Sequence, residues 1–201
     1  QKTEATVLTP ILNKIGGVFM QQGAMNTNRI SIRGIGARTP YGTNKIKAYF
    51  DGLPLSSGEG ETTIDDIDLA SIEKIEIIKG PNSTSFGSGL GGVIQLFSRE
   101  TPLLESFGKS TVTFGSFGLL QQRLSAGYSD SKTNVFTSYT DLQSDGFRAN
   151  SSYNRKSFNL HGKQKISSNG RLSFLGTFTR LKAFIPSSVN ETDLKNNPEK
   201  A

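Results

Sequence analysis

The chain has 201 residues and a formal net charge of +6; 34% of the residues are hydrophobic, 20% are charged, and Cys and Trp are absent. The lack of Cys excludes a disulfide framework, a zinc–thiolate site and a thiol nucleophile. Lys and Arg are spread along the sequence without a dense basic run, which argues against nucleic-acid binding, and the 22 glycines favour strands and turns over long helices.

Neither a membrane-spanning helix nor a secretion signal is evident. No apolar run approaches the ~20 residues that a transmembrane helix needs, and residues 1–10 lack the apolar core of a signal peptide. Membrane β-strands are shorter and apolar on one face only, so these observations do not exclude a transmembrane β-barrel. If the protein is exported, its signal was removed or lies outside this sequence.

Up to about residue 99, short strands alternate with glycine and proline turns. Residues 8–15 (LTPILNKI) predict a short helix, with Thr9 as its N-cap and Pro10 at its first position. Asp68 is placed to cap a second helical turn that runs to about Lys74. Alternation of apolar and polar residues, bounded by Gly, Pro and Asp turn signals, predicts strands at about residues 29–33, 46–50, 74–79 and 93–97.

After residue 105 a repeated hairpin pattern begins. Strands of about ten residues are joined by short turns at residues 129–133 and 167–170 and by a longer polar connection at residues 143–154. One face is predicted to carry Leu124, Ala126, Tyr128, Phe158, Leu160, Leu172, Phe174 and Phe178. The other is predicted to carry Arg123, Ser157, Asn159, His161, Ser173 and Thr177. Periodicity alone fits a transmembrane barrel and a soluble antiparallel sandwich equally well.

Motifs that usually carry chemistry fail on their context. Residues 87–92 (GSGLGG) match a dinucleotide-binding pattern, but they do not directly follow a predicted strand, and a strand-like VIQLF comes next, so a tight glycine turn is expected. Asp65, Asp66 and Asp68 lack the other ligands of a calcium loop. One histidine, His161, is too few for a metal site. We expect no metal, no cofactor and no enzymatic activity.

Four segments together resemble the plug domain of TonB-dependent outer-membrane receptors. They are residues 11–20 (ILNKIGGVFM), 30–36 (ISIRGIG), 46–55 (IKAYFDGLPL) and 67–98 (IDLASIEKIEIIKGPNSTSFGSGLGGVIQLFS). Gly16-Gly17-Val18 stands where the family usually has Pro-Gly-Val, and Lys79-Gly80-Pro81 where it usually has Arg-Gly-Pro. The hairpins after Glu105 are similar to the start of the family's barrel, which favours the barrel over the sandwich.

The resemblance implies an α+β fold in two parts. Residues 1–99 would form a small mixed α/β plug domain, and residues 106–201 the first antiparallel strands of an incomplete transmembrane β-barrel. Those residues supply only about five strands, whereas the smallest barrels need about eight, so this chain is not expected to close a barrel by itself.

The resemblance also implies a function in the bacterial outer membrane. The family's receptors take up a scarce nutrient, most often a ferric chelate of the siderophore or citrate type, and the plug gates the barrel pore. The implied partners are the small-molecule ligand, outer-membrane lipid and the TonB energy-transducing complex, with no nucleic acid. TonB pulls on a short box upstream of the plug. Residues 4–9 (EATVLT) lie too close to residues 30–36 to be that box, so we expect it outside this sequence.

Two groups of residues receive roles from the resemblance. Arg33 and Lys79 stand at the family's basic positions that pair with barrel carboxylates. The loops that reach the substrate correspond to residues 21–26, 37–44 and 56–62, and the side chains chosen there as ligand contacts are Gln22, Arg38, Thr39, Tyr41 and Glu59. Arg38 offers a fork of donors for carboxylate or catecholate oxygens, and Tyr41 an aromatic face with a polar tip.

Two other functions remain open on the sequence alone. A soluble β-rich binding or adhesion module would stay monomeric without detergent. A basic nucleic-acid-binding domain would lose affinity steeply as salt is raised.

Overall fold

The computed structural model describes residues 8–24, 27–37, 43–56, 61–62, 64, 67–81, 86–87 and 89–200. The chain divides into two compact units, Gln1–Arg99 and Glu100–Ala201. No helix in the described part of the chain is long and apolar enough to cross a membrane.

The first unit begins with a single helical turn, α1 (Thr9–Leu12). Its N-cap is Leu8, so the prediction of Thr9 is wrong. Leu8 is buried, and its carbonyl oxygen accepts hydrogen bonds from the amides of Ile11 and Leu12. The helix is therefore capped by the buried Leu8, one residue before Thr9, the polar residue that was expected to cap it. The helix ends at Asn13, whose side chain pairs with the Met20 backbone. Asn13 Oδ1 accepts a hydrogen bond from the Met20 amide at 2.7 Å, and Asn13 Nδ2 donates one to the Met20 carbonyl oxygen at 2.9 Å.

The described strands of the first unit form two small sheets. A hairpin pairs β1 (Val18–Ala24) with β2 (Thr27–Ile32). The second sheet has the order β4-β3-β6-β5, and in it only β3 and β6 are parallel. Its strands are β3 (Ile46–Phe50), β4 (Leu53–Pro54), β5 (Ile72–Lys79) and β6 (Gly92–Ser98). The four strands predicted here are confirmed within a few residues, whereas β1 was not predicted.

Local turn chemistry explains where these strands begin and end. Asp51 and Gly52, which join β3 to β4, both have positive φ, at 48° and 83°, as a tight hairpin turn requires. The Asp68 carboxylate accepts a hydrogen bond from the Ala70 amide and caps a 3₁₀ turn at Leu69–Ser71. The capping prediction is confirmed, but the helical turn ends before β5 and does not reach Lys74.

The second unit is an antiparallel meander whose five strands follow one another in sequence order. They are β7 (Ser106–Phe114), β8 (Leu120–Ser129), β9 (Thr133–Ser144), β10 (Tyr153–Lys165) and β11 (Arg171–Ala183). β7 and β11 are the two edges of this open sheet. A short helix, α2 (Glu191–Asn196), follows and is capped by Asn190. The predicted α+β class, with a small mixed domain followed by antiparallel strands, is confirmed.

The sheet of the second unit has two distinct faces. We call the side that carries Leu124, Phe158, Phe174 and Phe178 the exposed face, because 41% to 68% of each of these side chains is accessible. We call the opposite side, which carries Phe136, Asn159 and His161, the buried face, because each of these is at most 4% accessible. Strand pairing places Phe158 opposite Phe178 and Asn159 opposite Thr177. The predicted division of side chains is therefore confirmed; a one-residue slip would have reversed it.

The hydrogen bonds around Asp130 predict that the turn between β8 and β9 is sensitive to acid. The amides of Lys132 and Thr133 and the Tyr128 hydroxyl donate hydrogen bonds to the Asp130 carboxylate, and they lower its pKa. A carboxyl whose pKa is lowered by folding stabilises the turn above its unfolded pKa, and that contribution is lost as pH falls through the lower, folded pKa.

We therefore expect the amides of Lys132 and Thr133 to lose hydrogen-exchange protection only as pH falls below the ordinary Asp value of about 4. Asp130→Asn keeps an acceptor oxygen that does not titrate, so its protection should not change with pH in this range. Equal pH dependence in both proteins would contradict this role of Asp130.

Candidate functional site

In the first unit, Arg33 and Lys79 converge on one glycine turn. The Arg33 amide donates a hydrogen bond to the Gly17 carbonyl oxygen at 2.8 Å, and the Lys79 ammonium group donates one to the Gly16 carbonyl oxygen. Arg33 and Gly17 both have positive φ, at 50° and 78°. The Arg33 side chain is exposed, and Lys79 is intermediate. The structure thus brings together two basic residues that are far apart in sequence.

Most of the predicted ligand contacts lie outside the described residues. This applies to Arg38, Thr39, Tyr41 and Glu59, and to the side chain of Gln22. The backbone of Gln22 lies in β1, opposite Asn28. Asp65 and Asp66, which were considered for a calcium loop, also lie outside the described part.

The described residues do show how the bases of two predicted ligand loops are joined. The amide of Thr62 donates to the Thr43 carbonyl oxygen at 3.0 Å, and its hydroxyl donates to the Ile46 carbonyl oxygen at 2.7 Å. Ser56 and Thr62 form a β-bridge. Thr43 and Thr62 are both buried. The loops at residues 37–44 and 56–62 therefore start from one hydrogen-bonded base at the beginning of β3.

The glycine-rich stretch at residues 87–92 lets neighbouring chain segments pack closely against its backbone. A Cβ atom at Gly91 would lie 2.9 Å from Ile46 Cγ1, and one at Gly92 would lie 2.3 Å from the Ile78 carbonyl oxygen. β6 begins at Gly92, and no helix opens there. The expected tight turn is confirmed, and the phosphate-loop alternative is excluded because such a loop must open a helix.

The buried face of the second unit combines an aromatic stack with a polar ladder. The rings of Phe136 and His161 stack with centroids 5.0 Å apart. The Asn159 amide donates to the Ser138 hydroxyl at 3.3 Å, and Arg155 Nε donates to the Ser157 hydroxyl at 3.0 Å. Within the described ranges, no three His, Cys, Asp or Glu side chains are grouped to hold a metal ion. The face offers hydrogen bonding and aromatic stacking.

Residues 1–93 match the family model described as the TonB-dependent Receptor Plug Domain. Residues 1–93 are therefore assigned to the plug domain of TonB-dependent receptors. The expected localisation in the bacterial outer membrane follows from that family.

Two curated relatives and one solved structure illustrate the similarity. A vitamin B12 transporter of Vibrio vulnificus is 28% identical over 119 residues, which are 58% of this chain and 18% of the transporter. A ferrioxamine receptor of Yersinia enterocolitica is 29% identical over 107 residues, 52% of this chain and 14% of the receptor. The ferric yersiniabactin uptake receptor of Yersinia pestis superposes with a TM-score of 0.79 at 18% identity.

That superposition covers 97% of this chain and 32% of the yersiniabactin receptor. Because the identity is low, it establishes the fold alone. The matched segments span less than a fifth of the length of the two curated relatives.

Sequence reasoning missed the residues that build the base of the ligand loops. Thr43 and Thr62 lie in polar loops, and no periodic pattern marks them. Their role comes from contacts between segments far apart in sequence, so only the folded chain identifies them. The Lys79–Gly16 hydrogen bond was missed for the same reason.

Proposed function

We propose that this chain is the plug and the first five barrel strands of an outer-membrane receptor that takes up a ferric chelate of the siderophore or citrate type. The observation that carries the proposal is a plug-family sequence followed, in the same chain, by a five-stranded antiparallel sheet with an exposed apolar face. Among the relatives, one is named a ferrioxamine receptor and one a ferric yersiniabactin uptake receptor. The vitamin B12 transporter makes a cobalt-containing ligand the chief competitor.

The plug would close the barrel pore until TonB acts on a box outside this sequence. Arg33 and Lys79 are proposed as the plug's contacts with barrel carboxylates. Their support is that both lie at the Gly16-Gly17 turn, with the Arg33 side chain exposed. Gln22, Arg38, Thr39, Tyr41 and Glu59 are proposed as ligand contacts, because the shared base at Thr43 and Thr62 would hold the second and third loops side by side.

A soluble module is the weaker alternative. Four exposed apolar side chains lie side by side across β8 to β11: Leu124, Tyr139, Phe158 and Phe178, which are 55%, 39%, 44% and 68% accessible. A contiguous apolar surface of this kind is rare on soluble monomers and usually marks an interface with a partner or a membrane.

The proposal is tested by equilibrium binding to the receptor that contains this chain. The ligands are ferric citrate, a ferric hydroxamate, a ferric catecholate and cobalamin. We expect one ferric chelate to bind, and Arg38→Ala and Tyr41→Ala each to weaken that binding by about 1–3 kcal/mol, since each strands a hydrogen-bond partner on the ligand.

Asn44→Ala is the matched control, because Asn44 is exposed at the base of the same loop and is not a proposed contact. Unchanged affinity in both test variants, with the protein folded, would remove this loop from the site. Binding of cobalamin in place of every ferric chelate would contradict the proposed ligand class.

A further inference from the structure

The exposed face carries a one-sided arrangement of charge. Strand pairing from β7 to β11 places only four charged side chains on this face: Asp141, Lys156, Arg180 and Lys182. All four lie at the same end of the sheet, the end of the connection at residues 145–152 and of the segment that follows β11. The remainder of the face is uncharged. On this face, three cations against one carboxylate leave that end with a net positive charge.

Lys156 and Arg180 are directly opposed on neighbouring strands. Like charges in that relation destabilise a sheet. Asp141 lies on the other side of Lys156, on β9, and its carboxylate is 3.3 Å from the Lys156 ammonium group, so it offsets part of the positive charge. Neither Arg180 nor Lys182 forms an ion pair with a carboxylate in the described part of the chain. The cluster of Lys156, Arg180 and Lys182 therefore carries positive charge that a further anion could balance.

Lys182 is held beside this pair by an aromatic ring. Its ammonium group lies 5.1 Å from the centroid of the Phe184 ring, a cation–π contact. On the other side of the pair, the next row of the exposed face is aromatic on β9, β10 and β11, where it carries Tyr139, Phe158 and Phe178. The cationic cluster thus sits at the border between an apolar surface and the longer connections of the sheet.

In transmembrane barrels the longer connections face outward from the cell, and the apolar band meets lipid. We propose that Lys156, Arg180 and Lys182 form a binding site for the phosphate group of an outer-leaflet lipid headgroup. The inference rests on the proposed function only in placing the exposed face against lipid. Arg180 offers a planar fork of donors that suits two phosphate oxygens, Lys156 and Lys182 add point charges, and the aromatic row would contact the acyl chains.

The simpler alternative is that the two lysines and the arginine extend to the aqueous boundary without binding a particular group, as long basic side chains do at membrane surfaces. The two readings differ in one measurable respect. A phosphate site discriminates between a phosphorylated lipid and the same lipid without phosphate, whereas basic side chains that only reach water do not.

The test uses the delipidated receptor that contains this chain, in a non-ionic detergent, titrated with lipid and followed by native mass spectrometry. The probes are dioleoylphosphatidic acid, dioleoylglycerol, which has the same acyl chains without phosphate, and inorganic phosphate. The test variant is Lys156→Gln combined with Arg180→Gln. The matched control is Lys165→Gln combined with Arg171→Gln, another directly opposed pair on β10 and β11, which lies at the short-turn end in the register of the buried face.

We expect phosphatidic acid to bind more tightly than dioleoylglycerol. The test variant should weaken its binding by roughly thirty-fold, because each basic side chain near a membrane surface contributes about five-fold. The control should bind as the wild type does. Equal binding by wild type and test variant would overturn the site, as would an equal loss in the control. Displacement of phosphatidic acid by inorganic phosphate would assign the cluster to the free ion instead.

The two proposals fail in different ways. If only the phosphate site is wrong, phosphatidic acid and dioleoylglycerol will bind alike. If the exposed face does not meet lipid at all, neither will bind, and the barrel assignment falls with the site.

Discussion

Gly92→Ala is expected to destabilise the plug sheet locally by about 3 kcal/mol or more. Gly92 opens β6 at φ +137°, and an added Cβ would lie 2.3 Å from the Ile78 carbonyl oxygen on β5. Backbone in such a region costs a residue with a side chain about 1–3 kcal/mol. Relieving the clash would move β5 away from β6, and overpacking of this kind costs a further 1–3 kcal/mol. Because β6 pairs with both β3 and β5, the loss should affect the whole sheet.

Hydrogen exchange followed by mass spectrometry would measure this in the intact receptor. Protection of amides at residues 72–79 and 92–98 should fall by more than about a hundred-fold, the equivalent of 3 kcal/mol. Gly52→Ala is the matched control: Gly52 also has positive φ, +83°, but an added Cβ would meet nothing within 4 Å. It should therefore cost only about 1 kcal/mol, from backbone strain alone. Equal losses in the two variants would show that the contact with Ile78 is unimportant.

Periodicity predicted β8, β10 and β11 well because each of these strands has one apolar side. Phe158 and Phe178 alternate with polar residues along their own strands, and this local pattern also sets the pairing between strands. The same reasoning did not predict β1. In its Val18-Phe19-Met20 start, Val18 and Met20 are buried but Phe19 is 56% accessible. Three consecutive apolar residues hide the period of two, so the strand is visible only through its pairing with β2.

Contacts between distant segments were beyond the sequence for a different reason. His161 was correctly placed opposite the apolar residues of β10, but its stacking on Phe136 depends on the strand that pairs beside it. The bonds from Thr62 to Thr43 and to Ile46 likewise join loop and strand positions that share no pattern. The role of Gly91 and Gly92 was easier to predict from the sequence. A Gly-rich stretch followed directly by a strand predicts a close backbone approach, which Gly91 and Gly92 show.

Phe174→Arg is expected to destabilise the membrane-inserted sheet by about 2–4 kcal/mol, if residue 174 lies near the bilayer midplane. Phe174 is on the exposed face in β11, directly opposite Gly162 on β10. A Cβ at Gly162 would lie only 2.5 Å from Phe174 Cζ, so the aromatic ring covers the backbone of the neighbouring strand. An aromatic ring over a strand glycine stabilises the pairing that it covers. Arginine would remove this cover and place a charge in hydrocarbon.

Two further variants separate these effects. Phe174→Leu keeps the side chain apolar but loses the ring over Gly162, so it should cost about 1 kcal/mol, the scale of a cross-strand pair. Thr177→Arg places the same charge on the same strand in the register of the buried face, opposite Asn159, and should cost less than Phe174→Arg. Each free energy would come from denaturant titration of the receptor folded into phosphatidylcholine vesicles. If Thr177→Arg proved as costly as Phe174→Arg, the exposed face could not be the one that meets lipid, because only the lipid-facing register penalises a buried charge in this way.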